Sequence, residues 1–395
     1  MSKLTELIEE LCPDGVEYRP LGELGKRNKG MVITASRMKE LHHEGGEVRI
    51  FAGGYTIADV DRDDLPGEAV IDVPSIIVKS RGNIGFEYHT RPFTHKNELW
   101  SYTLDDPDVD QKFIFYYLQS RVSYFQLKAK SGKLPQIGVR DTDQFSVPTP
   151  PLKVQREIVR VLDAFTDLEQ NLVSELELRK KQLDHYRSQV LSADSSDGDL
   201  VELGELGRIV TGRTPKGDDP NAWGSEVNFV TPSDIGDGVK MVSSTNRQLS
   251  AAGAQSLMKS FVPAGSILVT CIGVVGKTVI NDHDCVTNQQ INSIILNPNV
   301  NADYVFHALT ALRPQLSALG SRSTGTMPIL NKTNFSRIKI SLPSITRQNE
   351  IAETLNKFDA LISTSGSGIQ AEIDLRRQQY EFYRDELLSF TPKED

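Results

Sequence analysis

"PPLKVQREIVRVLDAF", Pro150 to Phe165, returns in altered form as "PSITRQNEIAETLNKF", Pro343 to Phe358. The two align without a gap, pairing Gln155 with Gln348 and Ile158 with Ile351. Each opens on proline, which lacks a backbone donor and suits a helix entrance. No proline then occurs from 152 to 192 or from 345 to 389. Ile158, Leu162, Phe165, Leu168, Leu172, Leu176, Leu183, Tyr186 and Val190 step by three, four or seven, as do Ile351, Leu355, Phe358 and Ile362, then Ile369, Ile373, Tyr380, Tyr383 and Leu387. This period predicts two long helices whose apolar stripes pair with each other.

Outward from this stretch the repetition continues. "ELELRKKQLDHYRSQVLS" (175–192) lies over "EIDLRRQQYEFYRDELLS" (372–389), and the offset between copies grows from 193 to 197 across "STSGSGIQ". Four extra residues are close to one turn, so the stripe resumes on nearly the same face; Gly366 and Gly368 predict a kink or interruption there. "LGELG" occurs at 21–25 and 203–207. "SIIVKSRGNIG" from Ser75 matches "SILVTCIGVVG" from Ser266, placing Gly82 on Gly273 and Gly85 on Gly276. "SGKLPQI" matches "TGTMPIL", placing Pro135 on Pro328. The same elements recur in the same order, which is a duplication.

Residues 1–150 and 199–343 mix short β-branched runs with Gly and Pro punctuation, whereas 151–198 and 344–395 are the helical segments. The predicted class is α+β: two pseudo-symmetric globular units separated by two long antiparallel, coiled-coil-like helices in a circular pseudo-two-fold arrangement. "LTELIEEL", Leu4 to Leu11, precedes "PDGVEYRPLGELG" as the tail of the first long helix precedes "SDGDLVELGELG". The N-terminal helix is therefore expected beside the end of the second long helix.

The 395 residues suffice for two or three domains, with 38% apolar and 25% charged residues. No apolar run reaches the roughly 18 residues of a membrane span, and the N-terminus lacks an apolar signal core, so a cytoplasmic protein is expected. Cys12, Cys271 and Cys285 form no Cys-x-x-Cys pair and fit reduced thiols. The net charge of −9 argues against nucleic acid unless the bases cluster, and they do. Residues 121–140 and 313–339 each hold five Lys or Arg and no acid, at equivalent places in the two copies. Segment 199–343 carries +1, against −4, −2 and −4 for 1–150, 151–198 and 344–395. Two matched acid-free windows point to a polyanion.

Candidate phosphate or base contacts are Lys128, Lys130, Ser131 and Lys133 in the first window and Arg322, Ser323 and Thr324 in the second. Arg213, Thr214 and Lys216 follow the second "LGELG", and Arg81 and Lys277 flank the Gly-x-x-Gly turns. Arg and Lys suit guanine; Asn and Gln suit adenine.

Catalytic motifs are missing. "GVVGKT", Gly273 to Thr278, resembles a P-loop but is two residues short between its glycines, and its counterpart "GNIGFE" has no Lys-Thr. There is no Asn-Pro-Pro-aromatic tetrapeptide, Gly-x-Ser-x-Gly or His-Glu-x-x-His. His42–His43, Asp282–Asp284 and the acidic stretches at 59–64 and 105–110 lack metal-ligand spacing, so no metal is expected.

Two globular units, each entering a long helix through Pro-x-x-x-x-Gln-x-x-Ile, resemble the specificity subunit of type I restriction-modification systems. The likeness covers essentially the whole chain, through the opening "LCPDGVEYRPLGEL", the two Gly-x-x-Gly turns and the loops before Pro135 and Pro328. The resemblance implies two target-recognition domains that each read one half of a bipartite double-stranded DNA site, and helices that set the unread gap. It implies a non-catalytic subunit without cofactors. Two methyltransferase subunits would dock on the helices carrying Gln155, Ile158, Leu162, Phe165, Gln348, Ile351, Leu355 and Phe358, and would use S-adenosylmethionine. Restriction subunits requiring ATP and magnesium are a further implied partner. The competing readings are a nucleotidase built on Gly273–Thr278 and a helical protein–protein scaffold.

Overall fold

The computed structural model describes residues 3–129, 134–193, 198–216, 219–321, 327–362 and 368–393. The chain forms two compact units, residues 1–171 with 373–395, and residues 172–372.

In the first unit, strands Gly25–Lys29, Trp100–Leu104, Ser75–Lys79 and Gly85–His89 pair in that order as an antiparallel sheet. A second sheet orders Ile57–Val60, Val48–Phe51 and Phe93–His95, its last pair parallel. The runs "SIIV" and "WSY" are buried end to end, as strands covered on both faces must be. Helix Gln111–Ser120 packs on the sheet, and Ile76, Val78, Tyr102, Phe113, Ile114, Leu118 and Phe125 make the core.

The second unit repeats this order. Strands Gly207–Thr211, Ile291–Leu296, Ile267–Thr270 and Thr278–Asn281 form the antiparallel sheet. Gln248–Leu249, Val227–Val230 and Cys285–Thr287 form the other, again with one parallel pair. Helix Ala302–Ala311 matches Gln111–Ser120. The second copy adds strands: Met241–Val242 extends the first sheet in parallel, while Trp223–Gly224 and Phe261–Val262 lengthen the other.

The first long helix runs unbroken from Leu152 to Ala193, 42 residues and roughly 60 Å at 1.5 Å per residue. The second is two helices, Ile345–Ile362 and Ile369–Leu387. Gly368 is a bend immediately before the latter; Gly366 lies outside the described residues.

Within the first unit, the start of the long helix faces the end of the last one. Phe165 stacks on Tyr383 with centroids 5.6 Å apart, and Arg377 Nε donates to Glu169 at 2.7 Å. Within the second unit, Tyr186 meets Phe358 at 5.2 Å and Arg187 pairs with Asp359 at 3.2 Å. The helices are thus each other's partners, as their stripes require.

The N-terminal helix Lys3–Leu11 buries Leu4 and Leu7 in the core that holds Leu388. Val16 N–H donates to Thr391 O at 2.9 Å and Tyr18 Oη to Phe390 O at 3.1 Å. The expected neighbourhood of the two chain ends is therefore formed inside the first unit.

The P-loop reading fails on topology. Gly273–Thr278 is the turn of a hairpin, and Thr278 opens a strand antiparallel to Ile267–Thr270 where a nucleotide loop needs a helix.

Candidate nucleic-acid interface

Each Gly-x-x-Gly turn is pinned to the loop that precedes its long-helix entrance. In the first unit Gly82 N–H donates to Pro135 O at 2.9 Å and Ile137 N–H to Ser80 O at 3.0 Å, so Arg81 and Gln136 stand opposite each other in an antiparallel bridge. In the second, Gly273 N–H donates to Pro328 O at 3.0 Å and Leu330 N–H to Cys271 O at 2.8 Å, setting Ile272 opposite Ile329. Gly82 and Gly273 have φ of 76° and 79°, the left-handed region that favours glycine. The basic windows are thereby attached to the turn at the end of the same inner strand in both copies.

A second pair of equivalent glycines crosses the parallel strand pair. A Cβ on Gly30 would lie 2.3 Å from Lys96 O, and one on Gly212 would lie 2.2 Å from the carbonyl oxygens of Thr287 and Asn288. This close approach places Arg213, Thr214 and Lys216, all exposed, directly after the strand end. Thr214 Oγ1 donates to Gln289 Oε1 at 2.7 Å.

Lys128 ends helix Val122–Lys128, 3.4 Å from Tyr124 Oη and 3.5 Å from Asp141. Its hydrogen bond to Tyr124 is the main cause of an ammonium pKa raised above the ordinary value. Arg81 is exposed. Lys277 is committed internally: its ammonium donates to Ile235 O and pairs with Asp237, both at 3.2 Å, and this bond chiefly holds the Asp237 carboxyl below its ordinary pKa. Lys130, Ser131, Lys133, Arg322, Ser323 and Thr324 lie outside the described residues.

The eight helix residues expected to meet partners are turned inward. Gln155 is fully buried: its Oε1 accepts from Asp110 N–H at 2.7 Å, and its Nε2 donates to Asp108 O and Pro150 O. Gln348 repeats this, accepting from Asn301 N–H at 2.9 Å and donating to Pro343 O at 2.8 Å. Asp110 and Asn301 are the N-caps of the two equivalent helices, so each glutamine ties a long helix to its globular unit. Ile158, Leu162, Ile351 and Leu355 are core, and Phe165 and Phe358 face helix partners. The sequence showed their periodicity and the pairing of the helices, but not that the first turns of each stripe bury in a globular core.

The acidic stretches are structural: Asp59 holds Arg49 at 2.7 Å and Asp106 holds Arg19 at 2.7 Å. Among the described residues no cluster of three or more His, Cys, Asp or Glu could hold a metal. Burial pushes the Cys271 and Cys285 thiols up to about 12.

Residues absent from the sequence-based set also lie at the turn. Tyr55 follows Gly53–Gly54, is 83% exposed, and accepts a 2.8 Å bond on its hydroxyl from Asn83 Nδ2. The Gly-Gly-Tyr turn was legible as punctuation; its nearness to Asn83 was not.

A duplicated α+β unit, with basic segments fastened to one hairpin turn in each copy and each copy tied through a buried glutamine to a long helix, defines a two-headed recognition protein. The family model for the type I restriction modification DNA specificity domain matches residues 13–178 and again 196–375, and the chain belongs to this family. It is 26% identical over 408 residues to the type I restriction enzyme EcoR124I/EcoR124II specificity subunit of Escherichia coli, covering 100% of this chain and 99% of that one. A putative type I restriction enzyme specificity subunit of Haemophilus influenzae is 29% identical over 301 residues, 72% and 73% of the two chains. The solved S subunit of a type I restriction-modification system from M. genitalium shares the fold, with a TM-score of 0.58, 17% identity and coverage of 95% and 96%. The chain is a type I specificity subunit with two target-recognition domains, a role in DNA recognition rather than catalysis.

Proposed function

We propose that each target-recognition domain reads one half of a bipartite double-stranded DNA target, and that the long helices set the gap between the halves. The observation that carries this is the recurrence, once per copy, of a Gly-x-x-Gly turn fastened to an acid-free basic window. The domains are taken as 1–150 and 199–343, with 151–198 and 344–395 as helical connectors. Lys128, Lys130, Ser131, Lys133, Arg81, Arg213, Thr214, Lys216, Arg322, Ser323 and Thr324 form the contact set. Lys277 joins it only by leaving Asp237.

Two methyltransferase subunits dock on the helices, and they bring S-adenosylmethionine; restriction subunits, where present, bring ATP and magnesium. The docking side chains are those left outward. Leu168 and its counterpart Leu361 are 39% and 59% exposed, and Leu178 and its counterpart Leu375 are 66% and 55% exposed. Large apolar groups kept exposed at matched positions favour two copies of one partner. No described helix is long and apolar enough to cross a membrane, and action on DNA supports a cytoplasmic protein.

The test is co-expression with the methyltransferase subunit and mapping of methylated sites, with residues 1–150 exchanged for those of a relative. One half of the motif is expected to change; a change in both halves, or in neither, overturns the division of labour.

A further inference from the structure

The two copies share the turn but not its chemistry. At the bridged edge of the first unit stand Arg81, Asn83, Leu134 and Gln136, all exposed. The equivalent positions of the second unit are Ile272, Val274, Met327 and Ile329, with Val274 55%, Met327 52% and Ile329 43% exposed. Only the Leu134–Met327 position is apolar in both. Directly opposed residues across an antiparallel bridge present their side chains together. Arg81 with Gln136 is thus a pair of hydrogen-bonding groups, and Ile272 with Ile329 a pair of aliphatic ones. The Tyr55 hydroxyl steadies Asn83 beside the polar pair while leaving its carbonyl oxygen and second N–H available.

Each edge is continuous with a window holding five bases and no acid, which draws a phosphate backbone toward it. Against a duplex, Arg, Asn and Gln address purine edges through N7 and its neighbouring group, whereas aliphatic side chains address the thymine methyl. We infer that this edge is the base-reading element of both domains: a hydrogen-bonding reader of purine N7 edges in the first, built on Arg81, Asn83 and Gln136, and an apolar reader of thymine methyl groups in the second, built on Val274, Met327 and Ile329. The inference rests on the DNA-reading function proposed above and adds the class of base contact made by each half.

Modified DNA tests it on the intact methyltransferase complex. Once the motif is mapped and exchange of 1–150 has assigned its halves, duplexes carry 7-deazapurines, which lack the N7 acceptor, or uracil for thymine, which removes the methyl group, in one half at a time. Each good contact contributes roughly 5- to 150-fold in discrimination. Binding is expected to weaken at least about fivefold with 7-deazapurines in the first domain's half and with uracil in the second's. Arg81→Ile, a surface change, is expected to relax one position of the first half while the second stays intact. If the bipartite motif and its assignment hold but uracil is without effect in the second half, or 7-deazapurines in the first, the edge does not read bases as inferred. A failed motif assignment would sink the underlying function instead.

Discussion

The junctions between globular unit and long helix can be compared atom by atom, because Lys112, Tyr116 and Asp163 of the first unit occupy the positions of Asp303, His307 and Asn356 in the second. In the first, Asp163 accepts from Lys112 Nζ at 2.8 Å and from Tyr116 Oη at 2.5 Å. In the second the acid and base have moved. Asn356 Nδ2 donates to Asp303 at 2.7 Å, its Oδ1 meets His307 Nε2 at 2.9 Å, and the cation is supplied by Lys240, 2.7 Å from Asp303. Lys240 precedes Met241–Val242, a strand with no counterpart among the described residues of the first copy. About two turns earlier, Gln155 and Gln348 each accept from the N-cap N–H and donate to the proline carbonyl at the helix entrance. A neutral side chain that satisfies main-chain groups depends on backbone geometry alone and survives divergence, while a charged network persists as a whole or is rebuilt as a whole.

The glutamines carry the largest expected effect. Gln155→Leu removes the partner of the Asp110 N–H and of two carbonyls, which costs about 3 kcal/mol or more, and Gln348→Leu, which removes the partner of the Asn301 N–H and of one carbonyl, should come close to it. Urea denaturation of both variants decides; a loss in only one would break the equivalence of the junctions.

A second contrast lies on the later strand of the parallel pair, where His95 stands opposite Phe51 and its counterpart is Thr287, opposite Val230. Burial pushes the His95 pKa down to about 4, below the unfolded value of about 6.5. Its contribution is therefore complete above pH 6.5 and is lost as pH falls toward 4, by about 2–3 kcal/mol. His307, also lowered to about 4 by burial, adds loss of the same sign in the second unit. His95→Thr should flatten melting temperature against pH between 4 and 6.5; an unchanged slope would show that this strand is not the source.

Exchanging the junction residues is a smaller test. Asn356→Asp replaces the Nδ2 donor to Asp303 with a carboxylate, leaving Lys240, 2.7 Å from both side chains, between two acids, and should cost about 1–3 kcal/mol. Asp163→Asn loses only a half-exposed charge pair, about 1 kcal/mol or less. Equal losses in thermal melts would mean the two networks are not differently built.

Much of this was legible in the chain. The gapless match of Pro150–Phe165 with Pro343–Phe358 pointed to the duplication and the helices, because helical period is a local property that spacing records, and the family entered as a resemblance carried by the doubled motifs together. The short spacing at Gly273 argued against a Walker loop while leaving a nucleotidase as a competing reading, and the antiparallel strand opened by Thr278 removed it. The tertiary structure alone decided that Gln155 and Ile158 face inward, that Lys277 belongs to Asp237, and that Tyr55 sits at Asn83. Amphipathic periodicity paired the helix stripes with each other but did not show that Ile158, Leu162, Ile351 and Leu355 are buried in the globular cores. Which surface covers each part of a stripe, and which acid lies within reach of a given base, depend on contacts between residues far apart in sequence.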